Sequence, residues 1–343
     1  MRVRYRDTFN IPVIFPPNVF REIPTVLTAE EIIDKMFRRA KKVEVPLSRN
    51  KLFMHRNLSI AKIFTARDVA VSTLKRYVEK FPYINKMHPF YRSLLDLLVD
   101  KNEYKKSLAS INWAVGRIES FADKYSRKIR GAGSVDDVLK LRREFYGRAS
   151  SIIKEIAPQL RYLGEVREVM KKLPSIEPAI HTIVIAGYPN VGKSELVKKL
   201  STAKPEIASY PFTTKGIIVG HMDTKEGRIQ IIDTPGLLDR PLEKRNKIEK
   251  QAILALRYLA DLIVFLLDPS ETCGYSLKAQ EKLLEEIRAD FSVPILVVEN
   301  KADLLCRESE YLKISAKTGK GVDMLVDLIM ERVNIHSQVQ RHL

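Results

Sequence analysis

Cysteine is nearly absent from this 343-residue sequence, which has only Cys273 and Cys306. Two thiols build no disulfide framework, so a reducing cytoplasm is the expected setting. Long apolar runs are missing too. The longest, Leu262–Leu267, has the length of a strand, far below the roughly 18 residues a membrane helix needs. The opening MRVRYRDTFN has arginines but no apolar segment or small-residue cleavage site behind them, and it is not read as a secretory signal. The six histidines are scattered without ligand spacing, which argues against a zinc site.

Acid is scarce in one half only. Residues 1–180 hold 36 Lys+Arg against 20 Asp+Glu, whereas residues 181–343 hold 23 against 22. Almost the whole net charge of +17 therefore sits on the first half. An uncompensated excess favours a polyanionic partner through steering and counterion release, with nucleic acid the first expectation. A solvated face, or an acidic protein or membrane surface, remains open.

The first half reads as helical. Residues 1–27, with Pro12, Pro16, Pro17 and Pro24, form an extended arm. Thr28 with Glu31 is a capping box, followed by Ile32, Ile33, Met36, Phe37 and Ala40 on one helix face. A second helix is predicted from about Ser59 to before Pro82, and a short third over about Pro89–Val99. In the fourth, Tyr104, Leu108, Ile111, Val115, Ile118, Ala122 and Tyr125 alternate in steps of four and three, the seam of an antiparallel bundle. Ser134 caps a fifth, and Pro158 opens a last one that fades near Pro174. Trp113, Phe145 and Tyr146 read as core or rim residues rather than as stacking platforms. A basic helical domain is thus expected over 28–178.

From Thr182 the rhythm becomes strand, loop, helix. Apolar runs at Thr182–Ala186, Ile217–Val219, Ile229–Ile232, Leu262–Leu267, Ile295–Val298 and Tyr311–Ile314 predict a doubly wound, mostly parallel sheet of six strands over 179–335, with a tail at 336–343. The fold class is α+β multidomain: an all-α bundle followed by an α/β domain. Ligands of such sheets sit at the carboxyl ends of the strands.

The strongest signal lies there. The first strand runs into Gly187-Tyr188-Pro189-Asn190-Val191-Gly192-Lys193-Ser194 and then into a helix, the G-x-x-x-x-G-K-[ST] pattern in its required context. Glycines let backbone N–H groups wrap phosphates, Lys193 supplies a point charge to the β- and γ-phosphates, and Ser194 offers its hydroxyl to Mg²⁺. Asp233-Thr234-Pro235-Gly236 ends another strand; the acid suits Mg²⁺ and the Gly236 amide can sense a γ-phosphate. Between them, Thr214, in preference to Thr213, is the candidate third magnesium ligand of a switch segment; alternatively both merely favour extended backbone. Asn300-Lys301-Ala302-Asp303 selects guanine: a carboxylate at Asp303 can accept from N1–H and the exocyclic amine, which adenine cannot match. Ser315-Ala316-Lys317 offers a backbone N–H to guanine O6. Each is weak singly. In this order they predict a P-loop domain that binds GTP or GDP with Mg²⁺.

With these motifs, the helical leader Ile23–Lys42, the segment Lys86–Leu98 and Tyr210–His221, the chain resembles the nucleolar GTP-binding protein (Nog) family, of the Obg type, in its short archaeal form. The resemblance covers nearly the whole chain. It implies GTP hydrolysis in large-subunit ribosome assembly, with the basic domain engaging ribosomal RNA on pre-ribosomal particles. The sequence shows no amphipathic lipid anchor, so no membrane partner is expected, and a monomer is the default expectation. The eukaryotic members carry a long carboxyl-terminal extension, and contacts attributed to it are not carried over. In similar potassium-using GTPases an asparagine at the position of Asn190 ligates K⁺; alternatively Asn190 only tolerates an unusual loop backbone. Leu237 stands where many GTPases have a water-orienting glutamine, so slow turnover resting on Lys193, Thr214, Gly236 and Asn190 is expected. A GTP-sensing RNA-binding scaffold with negligible hydrolysis is the alternative. The clusters Arg38, Arg39, Lys41, Lys42, Arg49 and Arg127, Lys128, Arg130 are candidate RNA faces or solvated helix faces alike.

Overall fold

The computed structural model describes residues 20–211, 216–225, 227–239 and 246–341. The extended arm, apart from its last residues, lies outside them. The chain divides into two compact units.

One unit is a helix bundle formed by residues 19–84 and 99–171. It contains α1 (Ala29–Lys41), α2 (Lys51–Lys80), α4 (Lys101–Gly131), α5 (Val135–Glu155) and α6 (Ala157–Lys171), with α3 (Pro89–Leu98) between α2 and α4 in sequence. The Thr28–Glu31 capping box forms as its spacing predicts, with bonds of 2.8 and 3.2 Å. Helix α2 begins well before Ser59 because Asn50 caps it, accepting from the Phe53 amide. Its first turns bury little, so no apolar period announces them. Along α4 the seam residues Tyr104, Ile111, Val115, Ile118, Ala122 and Tyr125 are buried. Leu108 is half-buried, and Ser107 occupies the inward position. Phe145 is fully buried, whereas Trp113 is 44% exposed at the rim. No described helix is long and apolar enough to cross a membrane.

The other unit gathers residues 172–343 and also 85–98. Its sheet contains β1 (His181–Ala186), β2 (Glu206–Ala208), β3 (Ile217–Thr224), β4 (Gly227–Asp233), β5 (Leu262–Leu267), β6 (Ile295–Glu299) and β7 (Leu312–Lys313). The order is β2-β3-β4-β1-β5-β6-β7. Strands β4, β1, β5, β6 and β7 run parallel, while β3 pairs antiparallel with both β2 and β4. The sheet is therefore seven-stranded and mixed, not six-stranded. The extra strand, β2, is three residues long at an exposed edge, where no apolar pattern is needed. All six residues of β5 are buried, as a central parallel strand covered on both faces requires. Helices α7 (Lys193–Leu200), α8 (Lys247–Ala255), α9 (Leu277–Asp290) and α10 (Val322–Arg341) complete the unit.

Helix α3 departs from the linear domain order: it belongs to the sheet-containing unit, not to the bundle. His88 accepts the Phe90 amide at the helix start, and Pro89 takes the first position, where its missing N–H costs nothing. Phe90, Leu94 and Leu95 are fully buried. The Phe90 ring lies 6.3 Å from that of Tyr210, and the Tyr210 hydroxyl donates to the Ala252 carbonyl in α8 at 2.7 Å. The Tyr91 hydroxyl accepts from the Ile176 amide at 2.9 Å. Phe90→Ala should cost this unit about 3–5 kcal/mol, read as an earlier denaturant midpoint, whereas Trp113→Ala in the bundle should cost within about 1 kcal/mol.

Candidate nucleotide site

The candidate residues converge at the carboxyl ends of β1, β4, β5 and β6, where an α/β sheet leaves room for a ligand. The loop from Gly187 to Gly192 turns with three left-handed residues: Gly187 at φ +136°, Asn190 at +63° and Gly192 at +103°. A β-carbon at Gly187 would stand 2.6 Å from the Leu266 carbonyl oxygen, and one at Gly192 only 2.2 Å from the Asn300 amide nitrogen. Both glycines are thus required by close approach as well as by backbone angle. Asn190 fits the left-handed turn and leaves its side chain exposed. Lys193 is buried and donates to the Gly187 and Tyr188 carbonyls at 2.9 and 2.8 Å, across the mouth of the loop. The Tyr188 ring lies tilted by 38° against that of Tyr275, 4.3 Å between centroids; Val191 is buried and Pro189 half-buried.

Two oxygens form a hard, cation-seeking pair. The Ser194 hydroxyl donates to Asp233 Oδ2 at 2.5 Å, and Asp233 Oδ1 is buried without a hydrogen-bond partner. Burial pushes the Asp233 carboxyl up, against the opposing pull of the Ser194 hydroxyl and the Lys193 charge. An orphaned carboxylate oxygen beside a hydroxyl fits a divalent ion with oxygen preference. Thr213 and Thr214, the other predicted candidates, lie outside the described residues, as do residues 240–245 of the second switch segment.

After Asp233 the chain turns at Gly236, with φ +78°. The Gly236 N–H, the expected γ-phosphate sensor, donates to Asp239 Oδ2 at 2.7 Å. Leu237 is 1% exposed, so the residue at the glutamine position faces the core. His221 sits within β3 opposite Gln230.

The segments Asn300–Asp303 and Ser315–Lys317 are tied to the loop Gly187–Gly192. Asn300 is buried; its amide donates to the Val191 carbonyl at 2.7 Å and its oxygen accepts the Ala316 amide at 2.9 Å. One side chain thus holds three loops in register. Asp303 is exposed at its tip and accepts from the Ser315 hydroxyl at 2.6 Å. That hydrogen bond holds its carboxyl below the usual carboxylate range, so it is an anion and an acceptor at neutral pH. Lys317 is exposed. Lys301 has φ +64° and reaches Asp268 and Thr272, on the loop after β5. Asp268, Thr272 and Tyr275 are site neighbours that the motifs do not include. The one available signal was a run of polar residues directly beyond an all-apolar parallel strand.

The NOG1 N-terminal helical domain matches residues 20–177, and the model of the nucleolar GTP-binding protein 1 family itself matches residues 247–303. The chain belongs to the nucleolar GTP-binding protein 1 family. Family relatives include an uncharacterized protein of Methanocaldococcus jannaschii, 44% identical over 294 residues, covering 85% of this chain and 83% of that one. The nucleolar GTP-binding protein 1 of Saccharomyces cerevisiae is 36% identical over 324 residues, covering 92% of this chain and 50% of its own. The chain thus spans about half the length of the nucleolar relatives it matches. A crystal structure of the Plasmodium falciparum family member is 35% identical, covers 49% of this chain and 93% of that one, and has a TM-score of 0.44.

Proposed function

We propose that the protein binds and hydrolyses GTP as a switch in assembly of the large ribosomal subunit, its basic helical region contacting ribosomal RNA. The observation that carries the nucleotide reading is Asn300, which ties the phosphate loop at Val191 to the base-reading segment at Ala316. Beside it stands Asp303, an anionic acceptor of the sort that guanine N1–H and its amine would satisfy. Its relatives carry GTP binding in their names. Exposed Arg38, Arg39, Lys41, Lys42, Arg49, Arg127, Lys128 and Arg130 support the RNA reading.

Ser194 and Asp233 would hold Mg²⁺, with Thr214 as the proposed third ligand. The ion, when bound, offsets phosphate charge. Lys193, placed across the loop by the Gly187 and Tyr188 carbonyls, is the cation for the phosphate oxygens. Gly236 would trade Asp239 for a γ-phosphate oxygen. Asn190, with an exposed carboxamide at the loop's turn, is the potassium candidate.

A second reading, a GTP-sensing RNA scaffold with negligible hydrolysis, draws on the buried Leu237. Single-turnover hydrolysis with and without ribosomal precursor particles separates the two. The switch reading expects acceleration by at least about tenfold, since catalytic groups supplied by a partner can add 10³ or more; a scaffold shows none. Turnover in KCl should exceed that in NaCl at matched ionic strength, and equal rates remove the potassium role. Calorimetry in which ATP competes equally with GTP, or in which neither binds, ends the nucleotide reading.

A further inference from the structure

Asp268 is the first residue beyond β5 and has no exposed surface. A buried carboxylate is costly unless donors surround it, and here they do. Its Oδ1 accepts from the Ser270 amide at 3.1 Å and the Ser270 hydroxyl at 2.5 Å. Its Oδ2 accepts from the Cys273 amide at 2.8 Å and the Thr272 hydroxyl at 3.1 Å. The backbone is held as firmly: the fully buried Gln280 accepts the Asp268 N–H at 2.8 Å and donates to the Asp268 and Tyr275 carbonyls at 3.0 Å each.

One donor comes from outside this loop. The Lys301 ammonium lies 2.7 Å from Asp268 Oδ2 and 2.9 Å from the Thr272 hydroxyl. Burial alone would raise the Asp268 carboxyl, but the bonds from Lys301, Ser270 and Cys273 hold it below the usual range. Lys301 meanwhile accepts a left-handed backbone, which is unfavourable for a non-glycine residue. Its neighbours are the residue that ties the loops, Asn300, and, two positions on, the edge reader Asp303. A lysine side chain has many rotamers to lose on ordering, and this one is held at its ammonium before any ligand arrives.

We propose that Asp268, with Thr272, is a positioning pair for the base slot: it pins the Lys301 ammonium so that the lysine's methylene stem stands as a preformed wall for the face of the purine ring. This rests on the guanine-nucleotide reading above. The division of labour is then explicit, because Asp303 reads the edge of the base while Lys301 covers its face. A face contact is shared by guanine and hypoxanthine, whereas the edge contact to the exocyclic amine is not.

Asp268→Asn keeps the shape of the residue and removes the charge that holds the ammonium. GTP, GDP and ITP should each bind about tenfold more weakly, the scale expected when a lysine's ordering must be supplied on binding, with the GTP-to-ITP ratio unchanged. In steady-state turnover the loss should appear in KM with kcat retained. Thr272→Val should act in the same direction by about threefold. The deciding measurement is a double-mutant cycle: Asp268→Asn combined with Lys301→Met should bind no worse than Lys301→Met alone. Additive losses, undiminished binding by Asp268→Asn, or a loss confined to one nucleotide would each overturn the positioning role. Should Asp268→Asn not fold, the Thr272→Val and Lys301→Met cycle carries the same test. Wild-type protein that binds no guanine nucleotide would sink the underlying reading instead, so the two failures are distinguishable.

Discussion

Asp303→Asn should weaken GTP binding by about 10²–10⁴-fold, since it removes two charge-assisted hydrogen bonds worth roughly 1.5–3 kcal/mol each. The direction of the compensating gain is as informative as the loss. Xanthine carries a carbonyl where guanine carries its exocyclic amine, and a carboxamide at position 303 can donate to that oxygen. XTP should therefore bind the variant better than GTP does, reversing the wild-type order. The fold should be nearly untouched, because Asp303 is exposed and the bond it accepts from the Ser315 hydroxyl can be accepted by an amide oxygen. Competition against a fluorescent guanine nucleotide gives both numbers. Weakening of GTP and XTP by the same factor would mean that Asp303 does not read the edge of the base.

Asn300→Ala should do more damage to the protein itself. It strands the Val191 carbonyl and the Ala316 amide, both now paired to a buried side chain. Each unpaired group costs about 1–3 kcal/mol, so a loss of roughly 2–5 kcal/mol in this unit is expected in denaturant unfolding. Nucleotide affinity should fall by more than about 10²-fold, because the phosphate loop and the base-reading loops lose their common register and ordering them falls to the ligand. The contrast with Asp303→Asn is diagnostic: one variant changes which base is chosen at constant stability, the other forfeits both affinity and stability. If Asn300→Ala unfolded as wild type does, the three-loop tie would not have the weight given to it.

The motifs were legible because each is contiguous and set by local needs. Gly187, Gly192 and Gly236 all adopt backbone angles that favour glycine, and Asp233 and Ser315 end or follow strands whose apolar runs mark them. The ties between motifs were not legible. Asn300 finds Val191 across 109 positions and Lys301 finds Asp268 across 33, distances over which no periodicity carries information. The bond from the Gly236 amide to Asp239 follows from the shape of the turn, which no motif announces. Strand β2 escaped because an exposed three-residue edge strand has no apolar alternation to show. Helix α3 was placed correctly in sequence, within the stretch 20–177 that the family's helical domain spans; that it packs with the sheet-containing unit was not legible. A helix with Phe90, Leu94 and Leu95 on one side shows that it must bury a face, not which neighbour will cover it.

That last point bears on how such a protein can be inherited. The chain enters the sheet-containing unit at residue 85, leaves it at 98, and returns at 172. No single break separates the two bodies, since any fragment starting after the bundle lacks Phe90 and its seat against Tyr210. A recombination event that moved only the contiguous nucleotide-binding stretch into another gene would deliver it with an apolar floor uncovered.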